Sequence, residues 1–180
     1  MNCYLLAGGL GRRMGRSKVD LPFAGSTFGE RVLDAARGAF DDVKTIVDRP
    51  EDGPAALFGV AAALADAKER CFILAVDYPL ITSELLRFLR GRFEVAYLPL
   101  LVPEWDGHPQ PLCGGYDPAL LPLVERRLGN GQFELRGLIA EAGAEIIPER
   151  ELRARFTGEP LLNVNTPDEL RKAEELHGRS

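Results

Sequence analysis

Residues 5–18 read LLAGGLGRRMGRSK, a run of four glycines, three arginines and a lysine with no carboxylate among them. Glycine lets backbone N–H groups approach an anion without interference from a Cβ, and a basic cluster adds charge-assisted hydrogen bonds. That composition suits a phosphate. The spacing matches neither of two familiar phosphate loops. Ser17 precedes Lys18 and Val19 follows it, so G-x-x-x-x-G-K-[ST] is absent. Gly8, Gly9, Gly11 and Gly15 do not form G-x-G-x-x-G ahead of a helix, because Pro22, Gly25 and Ser26 interrupt the next dozen residues. A solvated surface loop would share this composition; its place straight after the first strand favours a ligand.

A second chemical signal is Asp77 in LAVDYPLI, which closes the strongly apolar run 71–76. A carboxylate there is either a cap or a metal ligand at a binding edge. Magnesium at nucleotide sites is held by one or two carboxylates together with the phosphates, so one aspartate suffices. Asp48 closes the run 43–47 in the same way. His108, one of two histidines, lies in Asp106-Gly107-His108-Pro109 with no serine–histidine constellation, and reads as loop packing or a substrate rim. Cys3, Cys71 and Cys113 are odd in number, far apart and set in or beside apolar runs, which suits core residues in a reducing compartment better than disulfides or zinc.

These groups need a frame to hold them. Residues 3–7 (CYLLA) read as a short buried strand that stops at Gly8 and Gly9. Helical spacing follows over 27–40, then a strand over 43–47, a small-residue helix over 55–67 and a buried strand over 71–76. Beyond these the pattern predicts a helix over 83–93, a strand over 95–102, an apolar run near 111–116 and helices over 118–128 and about 134–142. Strands over 144–147 and 161–164 precede a last helix. It opens on Thr166-Pro167-Asp168-Glu169, with an N-cap hydroxyl, proline at the first helical position and glutamate three after the cap. Alternating strands and helices predict an α/β domain with a mostly parallel sheet covered by helices on both faces. Such sheets bind ligands at the carboxyl ends of their strands, where the Gly-rich run, Asp48 and Asp77 stand.

A chain of 180 residues suits one domain, 1–180, and its 22 basic against 27 acidic side chains, a net charge of −5, exclude a global positive field for nucleic acid or an anionic membrane. Positive charge for an anion must be local, and Arg12, Arg13, Arg16 and Lys18 supply it. The opening MNCYLLA has no basic leader and too short an apolar stretch for a signal or a span, so a soluble cytoplasmic protein is expected.

Three segments resemble the molybdenum cofactor guanylyltransferase family. Leu6-Ala7-Gly8-Gly9 with Arg13-Met14-Gly15 and Lys18 is similar to the family's opening L-A-G-G-x-S-x-R-M-G and following lysine. Val76-Asp77-Tyr78-Pro79 is similar to its strand ending in Asp with a nearby proline, and Asn163-Val164-Asn165-Thr166-Pro167-Asp168-Glu169-Leu170 to its late N-V-N-T-P-[DE]-[DE]-L. The resemblance spans nearly the whole chain in order. It implies a three-layer Rossmann-like nucleotidyltransferase domain that moves GMP from Mg²⁺-bound GTP to the terminal phosphate of molybdopterin or Mo-molybdopterin, releasing pyrophosphate. It further implies that Leu6, Ala7, Gly8 and Gly9 meet the nucleotide and Lys18 its phosphates. Asp77 would hold Mg²⁺, Asp48 would line the guanine pocket, and Arg13, Asn163 and Asn165 would serve the pterin phosphate side. Other cofactor-biosynthesis proteins are implied as transient partners, with no nucleic acid and no membrane.

Departures from the pattern include a chain shorter than the family's between the first helix and Asp48, without the strand-and-loop that carries an Asn near the nucleotide, and several single positions. Gly11 stands for the usual serine, Ser17 for an acid before the lysine, and Ala55-Ala56-Leu57-Phe58-Gly59 for G-P-L-A-G; Glu134 stands where a basic residue is expected, with Arg136 nearby. Transfer at an α-phosphate joins two anionic partners, so the work is charge neutralisation and alignment, and an ionised acceptor phosphate needs no general base. Two other readings fit the same segments: a transferase with another base or acceptor, such as a pterin cytidylyltransferase or a sugar-phosphate nucleotidyltransferase, and a nucleotide-binding accessory protein without turnover. Retention of both Lys18 and Asp77 favours the enzyme.

Overall fold

The computed structural model describes residues 1–7, 18–47 and 55–178. Strand β1 (Cys3–Leu6) is flanked in parallel by β4 (Val43–Ile46), with Cys3 opposite Val43, and by β5 (Cys71–Ala75), with Cys3 opposite Phe72. Next to β5 lies β8 (Cys113–Tyr116), antiparallel to it and to β6 (Leu100–Trp105). Strand β9 (Ala144–Ile147) returns parallel to β6. With two reversals between β5 and β6, strands β4, β1, β5, β6 and β9 share one direction, so the seven-stranded sheet is mostly parallel, as expected. The remaining strand, β7 (His108–Pro109), makes a hairpin with β6 through Asp106 (φ 52°) and Gly107 (φ 69°), the paired positive φ values of a type I′ turn.

Alternate residues of the central strands face opposite ways, and both sets are apolar because helices cover both faces. Cys3, Leu5, Phe72 and Leu74 pack with α1 (Phe28–Arg37) and α3 (Ser83–Glu94) through Val32, Ala36, Leu85, Leu89 and Phe93. Tyr4, Leu6, Cys71 and Ile73 pack on the other face with α2 (Ala56–Asp66), α4 (Leu121–Gly129) and α5 (Leu135–Ala142). The three cysteines are buried and unpaired, as their apolar settings predict, and burial pushes the Cys71 thiol up to about 12. Among the described residues no helix is long and apolar enough to cross a membrane.

A third cluster joins the two ends of the chain. Leu21 immediately precedes, and Phe23 belongs to, a short antiparallel ribbon of β2 (Pro22–Phe23) and β3 (Ser26–Thr27). They pack with Phe28, Val164 and with Ala173 of α7 (Pro167–His177). Both helices here start from a threonine capping box: Thr27 with Glu30 for α1, and Thr166 with Glu169 for α7 at the predicted place.

Two predicted strands are corrected. The segment expected as 95–102 becomes strand only at Leu100, because Arg70 reaches across to the Phe93 and Ala96 carbonyls (3.0 and 2.8 Å) and holds the chain in turns. Residues 161–164 are not a strand. Leu161 and Val164 are buried in different clusters, and Val164 N–H has one partner, the Asp77 carbonyl at 2.9 Å. The short helix α6 (Glu149–Arg153) after β9 was not expected from spacing.

Candidate functional site

The carboxyl ends of the parallel strands gather at one edge of the sheet. There β5 runs out through Val76, whose N–H donates to the Leu6 carbonyl at 3.3 Å, into Asp77. Lys18 opens a single 3₁₀ turn (Lys18–Asp20) that leads into the β2–β3 ribbon and is tied to the start of α1. Leu21 N–H donates to the Lys18 carbonyl (3.2 Å), and Phe28 N–H donates to the Leu21 carbonyl (3.0 Å). Gly29 in the first turn of α1 lies so close to this turn that a Cβ there would sit 2.5 Å from Val19 Cγ1 and 3.0 Å from the Val19 carbonyl. The turn is thereby wedged against α1, and Lys18 with it.

From that turn the Lys18 ammonium reaches Asp77 Oδ1 at 2.9 Å and donates to Asn165 Oδ1 at 2.6 Å. Asn165 Nδ2 in turn donates to Asn163 Oδ1 at 2.6 Å. The extended segment carrying the two asparagines is pinned three ways. Val164 is buried in the third cluster, its N–H meets the Asp77 carbonyl, and Asn165 and Thr166 N–H both donate to Glu169 Oε2 (2.6 and 2.9 Å). Alternation in an extended chain then turns Asn163 and Asn165 away from the face that Val164 buries. The Lys18 and Asp77 side chains are only 13% and 20% exposed. Burial raises the Asp77 carboxyl above the ordinary carboxylate range, and the Lys18 ammonium draws it back only in part.

Beside this network lies a cleft of about 600 Å³ bordered by Tyr78, His108, Gln110, Asn163 and Asn165, with Arg136 and Lys172 at its exposed rim. Gln110 fixes one wall: its Nε2 donates to the Trp105 and His108 carbonyls (both 3.1 Å) and its Oε1 accepts from Tyr78 (3.1 Å). Trp105 Nε1 donates to Glu159 (3.0 Å), and the Arg153 guanidinium lies over the indole at 4.1 Å while pairing with Glu149 and Glu159. Of the three acids bordering the cleft, Glu159 and Glu169 are engaged by protein groups and Asp106 is exposed at the β6–β7 turn. A second groove, about 660 Å³, runs along Thr45, Ile46 and Val47 against Phe58 and Gly59 of α2.

Of the site residues read from the sequence, Lys18, Asp77, Asn163 and Asn165 meet in one hydrogen-bonded chain. Leu6 ends β1 at the same edge and Ala7 follows it; the Leu6 side chain is buried, its carbonyl serves Val76, and Ala7 N–H donates to the Ile46 carbonyl (2.9 Å). Gly8, Gly9, Arg13 and Asp48 lie outside the described residues. Tyr78, Gln110 and Lys172 escaped the sequence reading. Gln110 had a signal, since a glutamine three residues after an Asp-Gly turn can close that turn's carbonyls.

No group of three or more metal-binding side chains occurs among the described residues. A lone half-buried carboxylate fits an ion shared with phosphates rather than one caged by protein. The same edge therefore offers one carboxylate for a divalent cation, one ammonium for a phosphate and a separate cleft with a basic rim.

Residues 3–146 match the model of the MobA-like NTP transferase domain. A molybdenum cofactor guanylyltransferase of Desulfosudis oleivorans is 30% identical over 190 residues, covering 94% of this chain and 92% of the relative. A probable molybdenum cofactor guanylyltransferase of Thermococcus kodakarensis is 29% identical over 195 residues, covering 97% and 94%. The crystal structure of molybdopterin-guanine dinucleotide biosynthesis protein A from Archaeoglobus fulgidus is similar over 100% of both chains, with a TM-score of 0.86 and 26% identity.

Proposed function

Because the chain belongs to the MobA-like NTP transferases, with molybdenum cofactor guanylyltransferases among its relatives, we propose that it transfers GMP from GTP to the terminal phosphate of molybdopterin or its molybdenum-loaded form, releasing pyrophosphate. The observation that carries this reading is the Lys18–Asp77–Asn165 network beside a cleft with a basic rim, all at one sheet edge. In it 1–180 acts as one nucleotidyltransferase domain.

Asp77 would hold Mg²⁺, which supplies charge neutralisation and alignment of phosphate oxygens. Lys18 contributes a point charge to the phosphates, and its wedged 3₁₀ turn fixes where that charge sits. Leu6 and Ala7 bring the β1 backbone to the nucleotide, with the Ala7 N–H already bonded to the Ile46 carbonyl. Gly8 and Gly9 follow with N–H groups for phosphate, and Asp48 accepts the N1 and N2 hydrogens of guanine. Arg13, Asn163 and Asn165 serve the acceptor phosphate side, where Arg136 and Lys172 add positive charge at the cleft rim. An acceptor phosphate is ionised at neutral pH, so the nucleophile needs no base and the protein's work is to bring two anions together.

The test is incubation with each nucleoside triphosphate, Mg²⁺ and either molybdopterin or a sugar phosphate as acceptor, following pyrophosphate. Release with GTP alone among the four supports the proposal. Release with CTP reassigns the base, release only with a sugar phosphate reassigns the acceptor, and nucleotide binding without release leaves the accessory reading.

A further inference from the structure

Asp77 is already engaged by a cation of the protein's own. Lys18 Nζ stands 2.9 Å from Asp77 Oδ1, and among the described residues it is the one ammonium or guanidinium paired with that carboxylate. The same ammonium donates to Asn165 Oδ1 at 2.6 Å. Asn165 cannot turn away from it easily: its Nδ2 is committed to Asn163 and its backbone N–H to Glu169. Lys18 is therefore shared between a charged acceptor, which a divalent cation also requires, and a neutral one, which such a cation does not compete for as strongly.

We propose that Lys18 and a divalent cation compete for Asp77, and that Asn165 is the positioning residue that retains the Lys18 ammonium when the cation takes the carboxylate. This rests on the reading of Asp77 as the metal-holding residue. A monovalent and a divalent cation drawn to one half-buried carboxylate repel each other at short range. Without an anion to separate them, each weakens the other. A nucleotide reverses the sign, because its phosphates give the displaced ammonium a stronger partner than an amide oxygen. Cation and nucleotide then enter cooperatively, although cation and lysine are antagonists on the protein alone. In this role Asn165 acts through Lys18, apart from its place on the acceptor side.

The test is Mn²⁺ binding to the full chain, by electron paramagnetic resonance of the unbound ion, with and without GTP. Without GTP, Lys18→Met should bind Mn²⁺ about threefold to fivefold more tightly than the wild type, the scale of one weak ion pair released. With GTP the order should invert. Asn165→Ala should weaken Mn²⁺ binding about threefold without GTP, because the ammonium then rests on Asp77 alone, and should change nothing in a Lys18→Met background. A merely structural role for Asn165 would weaken binding equally in both backgrounds, and that result overturns the positioning. Lys18→Met binding no tighter than wild type, while Asp77→Asn loses the ion, overturns the competition and leaves the function standing. Undiminished Mn²⁺ binding by Asp77→Asn overturns the metal assignment itself.

Discussion

Gly29→Ala should disable the site from a position that touches no substrate. The added Cβ would stand 2.5 Å from Val19 Cγ1 and 3.0 Å from the Val19 carbonyl, against an ordinary carbon–carbon separation of about 3.5–4.0 Å. Valine is short and branched, and the second contact is backbone, so a rotamer change does not clear the space. The 18–20 turn must retreat by about 1 Å, and Lys18 is its first residue. A displacement of that size in a group that aligns reacting atoms costs about 10²-fold in rate. Stability should change less. Overpacking costs about 1–3 kcal/mol, and alanine returns about 0.5–1 kcal/mol over glycine in a helix. The assay is pyrophosphate release under steady state with GTP and pterin acceptor, alongside a thermal melt. Val19→Ala in the Gly29→Ala background removes the clashing methyl and should restore at least tenfold of the lost rate, on the order of half the loss in logarithmic terms. A Gly29→Ala enzyme within about threefold of wild type would refute the claim that this contact sets the position of Lys18.

Asp77→Asn should bind GTP more weakly than wild type in Mg²⁺ but about equally in EDTA, measured by calorimetry, because a neutral amide is a poor magnesium ligand; equal stimulation by Mg²⁺ in both proteins would reduce Asp77 to a turn residue. Wild-type kcat/KM should favour GTP over CTP by about 10² to 10³, and Asp48→Ala should shrink the ratio by slowing GTP, since a carboxylate matched to guanine's donors repels cytosine's acceptors. Thr166→Ala removes the hydroxyl that accepts from Glu169 N–H at 3.3 Å and should lower stability by about 1 kcal/mol. In a calorimetric melt that is a Tm lower by roughly 2–4 °C, and an unchanged Tm would show that Glu169 alone holds the helix start.

What the sequence made legible follows from where burial is two-sided. CYLL and CFILA read as strands because both of their faces meet helices, so every residue is apolar and the signal needs no phase. The opposite error arose at 95–102. Val95 and Tyr97 are 74% and 101% exposed, so their apolar character there marks no buried strand. What shapes that stretch is Arg70, more than twenty residues earlier, binding the carbonyls at the end of α3. At 161–164 the residues are buried as an apolar run should be, but the burial is divided between two clusters and no ladder forms. Hydropathy alone cannot distinguish one buried face from two half-buried corners.

The site divides along a similar line. Residue types at strand ends are local information, so Asp77 and the Lys18 neighbourhood could be singled out from the chain alone. The hydrogen bond between Lys18 and Asn165 spans 147 positions, and nothing in either segment predicts it. It exists because Val164 and Phe28 share one apolar cluster, which brings the asparagine segment to the turn that carries the lysine. The late Asn-Val-Asn pattern therefore has a division of labour: the valine docks the segment, Asn165 meets the Lys18 ammonium, and Asn163 holds the Asn165 amide. A polar substitution at Val164 would release both asparagines together, whereas a change at Asn163 or Asn165 would leave the docking intact. The packing of one buried valine thus brings a hydrogen-bond acceptor to an ammonium held near the other end of the chain.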